Sequence, residues 1–208
     1  MQQIGPEAAA GELAVSEQER VWAAGLGASR AQQFLASRHW MRSCLAELHG
    51  SAPRQVPLQA PPGAPPRLLD GWGYVSLSHC ADACLLGWSQ QPIGVDLERA
   101  DRKLQAAAAF MRRFFTESEQ SQLRHLDGDQ LRQQVLDRWL VKEAAIKWQQ
   151  GSLAQDLCFW EVSSTLCGAS HRALDLNVAA QLRSQGEWRL GVVVAEKKLL
   201  RDCLLCTA

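Results

Sequence analysis

At 208 residues the chain can build one sizeable core or two small halves packed on each other. Its 47% hydrophobic and 21% charged residues match ordinary globular proteins and leave no need for a fibrous or repeat reading. Lysine plus arginine and aspartate plus glutamate both number 22, so no global basic field exists to hold nucleic acid, and anion recognition has to be local. Residues 1–10 carry no basic stretch followed by an apolar run, and nowhere do ~18 apolar residues follow one another, so the expectation is a cytoplasmic protein without a membrane partner. Seven scattered cysteines fit a reducing compartment better than a disulfide framework. Cys203-Leu204-Leu205-Cys206 has metal-like spacing but no second Cys/His pair.

Ser16 with Glu19 three residues on is a capping-box pattern and predicts a first helix to about Ala24. Ser29 is the expected cap of a second helix, Arg30 to about Leu48, with Phe34, Leu35, Met41, Leu45 and Leu48 near one stripe and Arg38 and Arg42 on a shared face. Six prolines between residues 51 and 66 predict a loop or extended edge. Gly73 to His79, Ala83 to Trp88 and Ile93 to Glu98 read as a small three-stranded meander. Helices are then expected at Leu104 to Phe114, at Thr116 to Leu126 behind a Thr116/Glu119 capping box, and at Asp129 to Trp148. Strands follow at Leu157 to Ser163, Arg172 to Leu176 and Trp188 to Ala195, with a final hairpin turning near Gly186. The element order describes an α+β chain in two similar-sized halves, residues 1–91 and 92–208.

Three strings carry chemistry. In Pro92-Ile93-Gly94-Val95-Asp96-Leu97-Glu98 the strand period of two sends Asp96 and Glu98 to one face and Val95 and Leu97 to the other. Adjacent carboxylates repel unless a cation sits between them, so this string alone fits either a hard divalent ion or a solvent-facing edge strand. In Trp139 to Trp148, Glu143 and Lys147 lie one helical turn apart in apolar surroundings. By itself this is a structural ion pair, or a carboxylate and an ammonium that need a metal and phosphate oxygens as partners. Ser76-Leu77-Ser78-His79 ends a strand with a hydroxyl and an imidazole, close to the acidic strand if the meander forms. The P-loop, dinucleotide, zinc-protease and nucleophile-elbow motifs are missing.

Taken in order, these strings resemble the Sfp-type 4′-phosphopantetheinyl transferases. The resemblance runs from about Arg30 to Leu153. It is carried by Phe34-Leu35-Ala36-Ser37-Arg38, Ser78-His79, Gly94-Val95-Asp96-Leu97-Glu98, Arg113-Phe114-Phe115-Thr116-Glu117-Ser118-Glu119, and Trp139 with Lys142-Glu143 and Lys147. It implies two pseudo-twofold related halves with coenzyme A in the cleft between them, acting as a monomer. It also implies magnesium-dependent transfer of phosphopantetheine to a serine of an acyl or peptidyl carrier protein, with release of adenosine 3′,5′-bisphosphate. By position, Asp96, Glu98 and Glu143 would hold magnesium, with Glu143 also the base for the carrier serine. Lys147, Ser78 and His79 would meet phosphate oxygens, Arg38 the nucleotide's 3′-phosphate, and Lys142 would support. This chain departs from the pattern at Gln33 and Ala64, where basic residues are usual; Arg67 is the nearest replacement, and Leu140 and Gly151-Ser152 also differ.

Two rival readings use the same residues. A magnesium nuclease or phosphohydrolase would need a basic stripe that this neutral chain lacks. A non-catalytic carrier-binding homologue would have no need of all three carboxylates and Lys147. Arg112 and Arg113, beside Phe110, Met111, Phe114 and Phe115, could dock an acidic carrier protein, or mark the solvated face of a helix whose aromatics are core.

Overall fold

The computed structural model describes residues 13–69, 71–80, 82–104 and 106–207. The expectation for residues 1–10 lies outside them. No helix among the described residues is long and apolar enough to cross a membrane.

The described residues open with helix α1 (Glu17–Ala24) and helix α2 (Ala28–His49). The Ser16 capping box is present. Gly27, not Ser29, is the N-cap of α2, and no side chain caps it. The proline-rich stretch holds a 3-10 turn (Pro53–Gln55) and a two-stranded ladder of β1 (Leu58–Gln59) with β2 (Arg67–Leu68). Strands β3 (Tyr74–His79), β4 (Cys84–Ser89) and β5 (Ile93–Arg99) follow, then helices α3 (Ala107–Phe114), α4 (Glu117–Leu123), α5 (Gly128–Gln149) and α6 (Leu153–Asp156). The chain continues through β6 (Trp160–Val162), β7 (Gly168–His171), β8 (Leu176–Gln185) and β9 (Trp188–Val194), a 3-10 turn (Lys197–Arg201) and β10 (Leu204–Thr207).

The expected mixed architecture is there, but the meander is not. β3 and β4 pair antiparallel, while β5 leaves them and pairs with β9 at the edge of a five-stranded sheet ordered β5-β9-β8-β7-β6. In return β10, which the sequence reading did not foresee, pairs with β4 and completes a three-stranded sheet. Two segments change places relative to the expected strands. Residues 172–175 are a turn, closed by Asp175 at φ 52, which an aspartate tolerates better than most residues, and β7 and β8 flank it. Residues 157–159, where a strand was expected to begin, are a turn after α6, and β6 starts at Trp160.

The same buried device occurs twice. Glu19 caps α1 from within, its carboxylate receiving the Ser16 amide, and pairs with Arg42 at 2.9 Å. Glu119 receives the Thr116 amide and pairs with Lys142 at 2.8 Å. In both cases the cation lies 23 residues beyond its glutamate. Both glutamates are fully buried. The spare donors tie down loops: Arg42 donates to the carbonyls of Pro53, Val56 and Leu58, and Lys142 to those of Phe114 and Leu157. Buried charges of this kind survive only when paired and hydrogen-bonded.

Helix α5 lies directly on the acidic strand. A methyl group at Gly94 would collide with the carbonyl oxygen of Ala144 and lie 2.6 Å from the amide nitrogen of Trp148; one at Gly191 would lie 2.9 Å from the Leu140 carbonyl oxygen. Arg189 on β9 clasps Asp137 of α5 through two hydrogen bonds of 2.7 and 3.0 Å. Around this contact pack Val141, Ala144, Ala145, Ile146, Trp160 and Val193, while Val95 and Leu97 face a second cluster with Leu85, Leu190 and Val192. Because the atoms met at Gly94 are backbone, they cannot swing aside. Gly94→Ala is expected to destabilise the fold by about 1–3 kcal/mol, the usual cost of overpacking; an unchanged midpoint in chemical denaturation would show that α5 does not rest on β5 in this way.

Candidate active site

The close approach of α5 brings its Glu143 and Lys147 over Asp96. Lys147 Nζ donates to Asp96 Oδ1 at 2.7 Å and lies 3.8 Å from Glu143 Oε2. From the other side Ser78 Oγ donates to the same Asp96 Oδ1 at 2.7 Å and accepts the amide of Leu97 at 3.2 Å. Two residues earlier, Ser76 Oγ accepts the amide of Val95 at 3.1 Å. The alternating serines of β3 therefore satisfy outward amides of the edge strand β5, where a neighbouring strand would otherwise do so.

Asp96 is 2% exposed, and its second oxygen, Oδ2, is buried with no hydrogen-bond partner among the described residues. Glu143 faces the same carboxylate. Burial first, and the charge of Asp96 second, push its pKa up to about 7, against the opposing pull of Lys147 and Arg102. Two acidic groups held together with an unsatisfied buried oxygen are the chemistry that a hard, oxygen-seeking cation relieves.

Glu98 stands apart. It shares the face of Asp96 but is ion-paired with Arg102. Among the described residues no group of three His, Cys, Asp or Glu side chains lies close enough to hold a metal. The structure thus joins Asp96, Glu143, Lys147 and Ser78, and leaves Glu98 on Arg102. Sequence reasoning passed over Arg102, although its place four residues after Glu98 was a signal.

Beside this cluster opens a cleft of about 1780 Å³, with Lys147 and Trp148 on one side and Gln33, Arg38, Ala64 and His79 among its other lining residues. Lys147 connects cleft and cluster; the three carboxylates are not in the lining. His79, at the end of β3, is exposed. Arg38 is largely buried: Nε donates to the Ala60 carbonyl at 2.7 Å, Nη1 to Ser37, and its guanidinium sits 4.3 Å over the Phe34 ring. Burial lowers its pKa, with Glu19 opposing. Ser78, expected on the cofactor's phosphates, is 6% exposed and spends its hydroxyl on Asp96. Arg67 reaches Gln150 at 3.2 Å. Lys142 belongs to the buried Glu119 pair and does not line the cleft. On α3, Met111 is buried, as is Phe115 just beyond it, and Phe110 packs against Phe114 and Trp139, so the apolar residues are core; Arg112 and Arg113 are exposed.

No curated protein sequence matches the chain. Among solved structures, it is similar to a holo-(acyl-carrier-protein) synthase from Bacillus anthracis str. Ames in complex with CoA (3′,5′-ADP), at 22% identity over 49% of this chain and 92% of that one, with a TM-score of 0.38. That likeness is too low to carry an argument about the site. Residues 92–193, which span β5 through nearly all of β9 and include Asp96, Glu98, Glu143 and Lys147, match the family described as the 4′-phosphopantetheinyl transferase superfamily. That span, just under half of the chain, is what is similar to the 4′-phosphopantetheinyl transferase superfamily.

Proposed function

We propose that the protein transfers the 4′-phosphopantetheine group of coenzyme A to a serine of an apo acyl or peptidyl carrier protein. The observation that carries this reading is the juxtaposition of Asp96, Glu143 and Lys147 beside a cleft large enough for a nucleotide cofactor, inside the span that matches the superfamily. In the reaction the serine oxygen forms a bond to the β-phosphorus of coenzyme A. The bond from that phosphorus to the bridging oxygen breaks, and adenosine 3′,5′-bisphosphate leaves.

Each residue has a part that follows from its position. Glu143, whose carboxyl is only weakly acidic here, accepts the serine proton. Lys147, shared between cluster and cleft, balances the negative charge of the phosphates. Ser78 fixes the orientation of Asp96, which leaves His79 and Arg38 to meet the cofactor from the opposite wall. Asp96 and Glu143 are the residues that would hold magnesium, joined by Glu98 once its ion pair with Arg102 opens; the ion when bound would supply charge neutralisation on the pyrophosphate. Breaking a pyrophosphate calls for this kind of electrostatic help more than for covalent catalysis.

Incubation with an apo carrier protein, coenzyme A and magnesium is expected to raise the carrier's intact mass by one phosphopantetheine group, and Glu143→Gln is expected to abolish the gain while the protein stays folded. Transfer at the wild-type rate by Glu143→Gln would remove Glu143 from its role, and no transfer by the wild type to any carrier class would sink the reading. For the partner, the exposed Arg112 and Arg113 are the proposed contacts to an acidic carrier surface. Replacing both with glutamate should raise the carrier's KM about tenfold or more, as expected for a lost electrostatic contact and its like-charge replacement, with coenzyme A binding unaltered. An unchanged KM would dismiss that surface.

A further inference from the structure

Where β5 ends, the chain turns back on itself. The Arg102 amide donates to the Arg99 carbonyl at 3.0 Å, and the Ala100 amide to the Glu187 carbonyl at 2.8 Å. From α5, Arg132 Nη1 donates to the carbonyls of Ala100 and Arg102 at 2.9 and 3.4 Å. Arg99 is itself tied to Asp101 and Glu187. The turn is therefore pinned from β5, from α5 and from the loop before β9. It returns the Arg102 guanidinium to Glu98, four residues back on the acidic face of the strand.

The two partners are unequally held. Glu98 sits on β5 opposite Arg189 of β9, and its side chain is 16% exposed, whereas that of Arg102 is 42% exposed and extends from a loop. The arginine is the partner that can leave, because a half-exposed guanidinium returns to water at little cost. In the metal-free cluster, side-chain cations stand in for an ion: Lys147 answers Asp96 and Arg102 answers Glu98. The substitution is incomplete, since Asp96 Oδ2 stays buried and unpartnered among the described residues.

We infer that Arg102 is a positioning residue for the cation site, holding Glu98 in reserve in the metal-free protein and competing with a divalent ion for that carboxylate. This rests on the reading of Asp96, Glu98 and Glu143 as magnesium ligands. Carboxylates on one strand face repel each other, and the guanidinium relieves that repulsion until a doubly charged ion replaces it. Glu98 is open to the ion only in those molecules whose ion pair has parted. The apparent dissociation constant is therefore raised in inverse proportion to the open fraction.

The test is a titration of Mn2+ alone into the metal-stripped, full-length protein, followed by the loss of the free ion's paramagnetic resonance signal, with neither coenzyme A nor a carrier present. Arg102→Gln is expected to bind the ion about fivefold more tightly than the wild type, the gain that follows from removing a partly exposed competing ion pair. Arg102 also acts through space on Glu143, so simple repulsion of the ion would give the same sign. The second arm separates the two: in the Glu98→Gln background, adding Arg102→Gln should change the affinity by less than about twofold, because the two residues act as one unit. An equal or weaker affinity for Arg102→Gln, or the full gain persisting without the Glu98 carboxylate, would overturn the inference and leave phosphopantetheine transfer untouched. Mn2+ bound by none of these proteins would take it down together with the magnesium reading.

Discussion

The backbone of α5 resting on the bare Cα of Gly94 is the contact on which the rest of the site depends. Only a glycine lets the Ala144 carbonyl come so near β5, and Gly191 on the neighbouring strand repeats the allowance one turn earlier on the helix. At that distance, side chains from the helix do not need to reach; Glu143 and Lys147 are delivered onto Asp96 by the packing itself. The clasp of Arg189 on Asp137 fixes the helix farther along the same face. A pocket of negative charge has thus been built out of ordinary core packing, and Lys147 offsets only part of it.

The scaffold around that contact is stiffened by two buried carboxylates that act as capping groups and ion partners at once. Glu19 and Glu119 each join a helix start to a long helix, and Arg42 and Lys142 each carry the connection on to loop carbonyls. Removing one member of such a pair strands a charge in the interior, so the two devices fix geometry as well as add stability. The exchange of strands reinforces this, since β5 belongs to the larger sheet and β10 to the smaller one. Each of these two sheets takes in a strand far in sequence from the one it pairs with, β5 beside β9 and β10 beside β4.

Much of the local structure was legible because its signals are short-range. Both capping boxes, the two long helices, and the split of Asp96 and Glu98 from Val95 and Leu97 follow from periodicity and cap chemistry. The partners of β5 were not legible, because a strand edge satisfied by serine side chains looks in sequence like a strand waiting for its neighbour. β10 was missed for a similar reason: Leu204 to Thr207 is short, and its place is set by β4, which lies far away in sequence. Of the candidate site, the juxtaposition of Asp96, Glu143 and Lys147 was implied by the family resemblance, whereas the commitment of Ser78 to Asp96 and of Glu98 to Arg102 depends on side-chain geometry that motifs do not encode.

The central claim is that Asp96 and Glu143 are held together, with Asp96 Oδ2 left unsatisfied, to receive a divalent cation alongside coenzyme A. A crystal structure of the protein grown with coenzyme A and manganese, with data collected near the manganese absorption edge, tests it directly. An anomalous peak is expected in contact with Asp96 Oδ2 and a Glu143 carboxylate oxygen, at the cluster's border with the cofactor. Coenzyme A bound in the cleft with no peak there, or a peak that leaves Asp96 Oδ2 without a ligand, would contradict it.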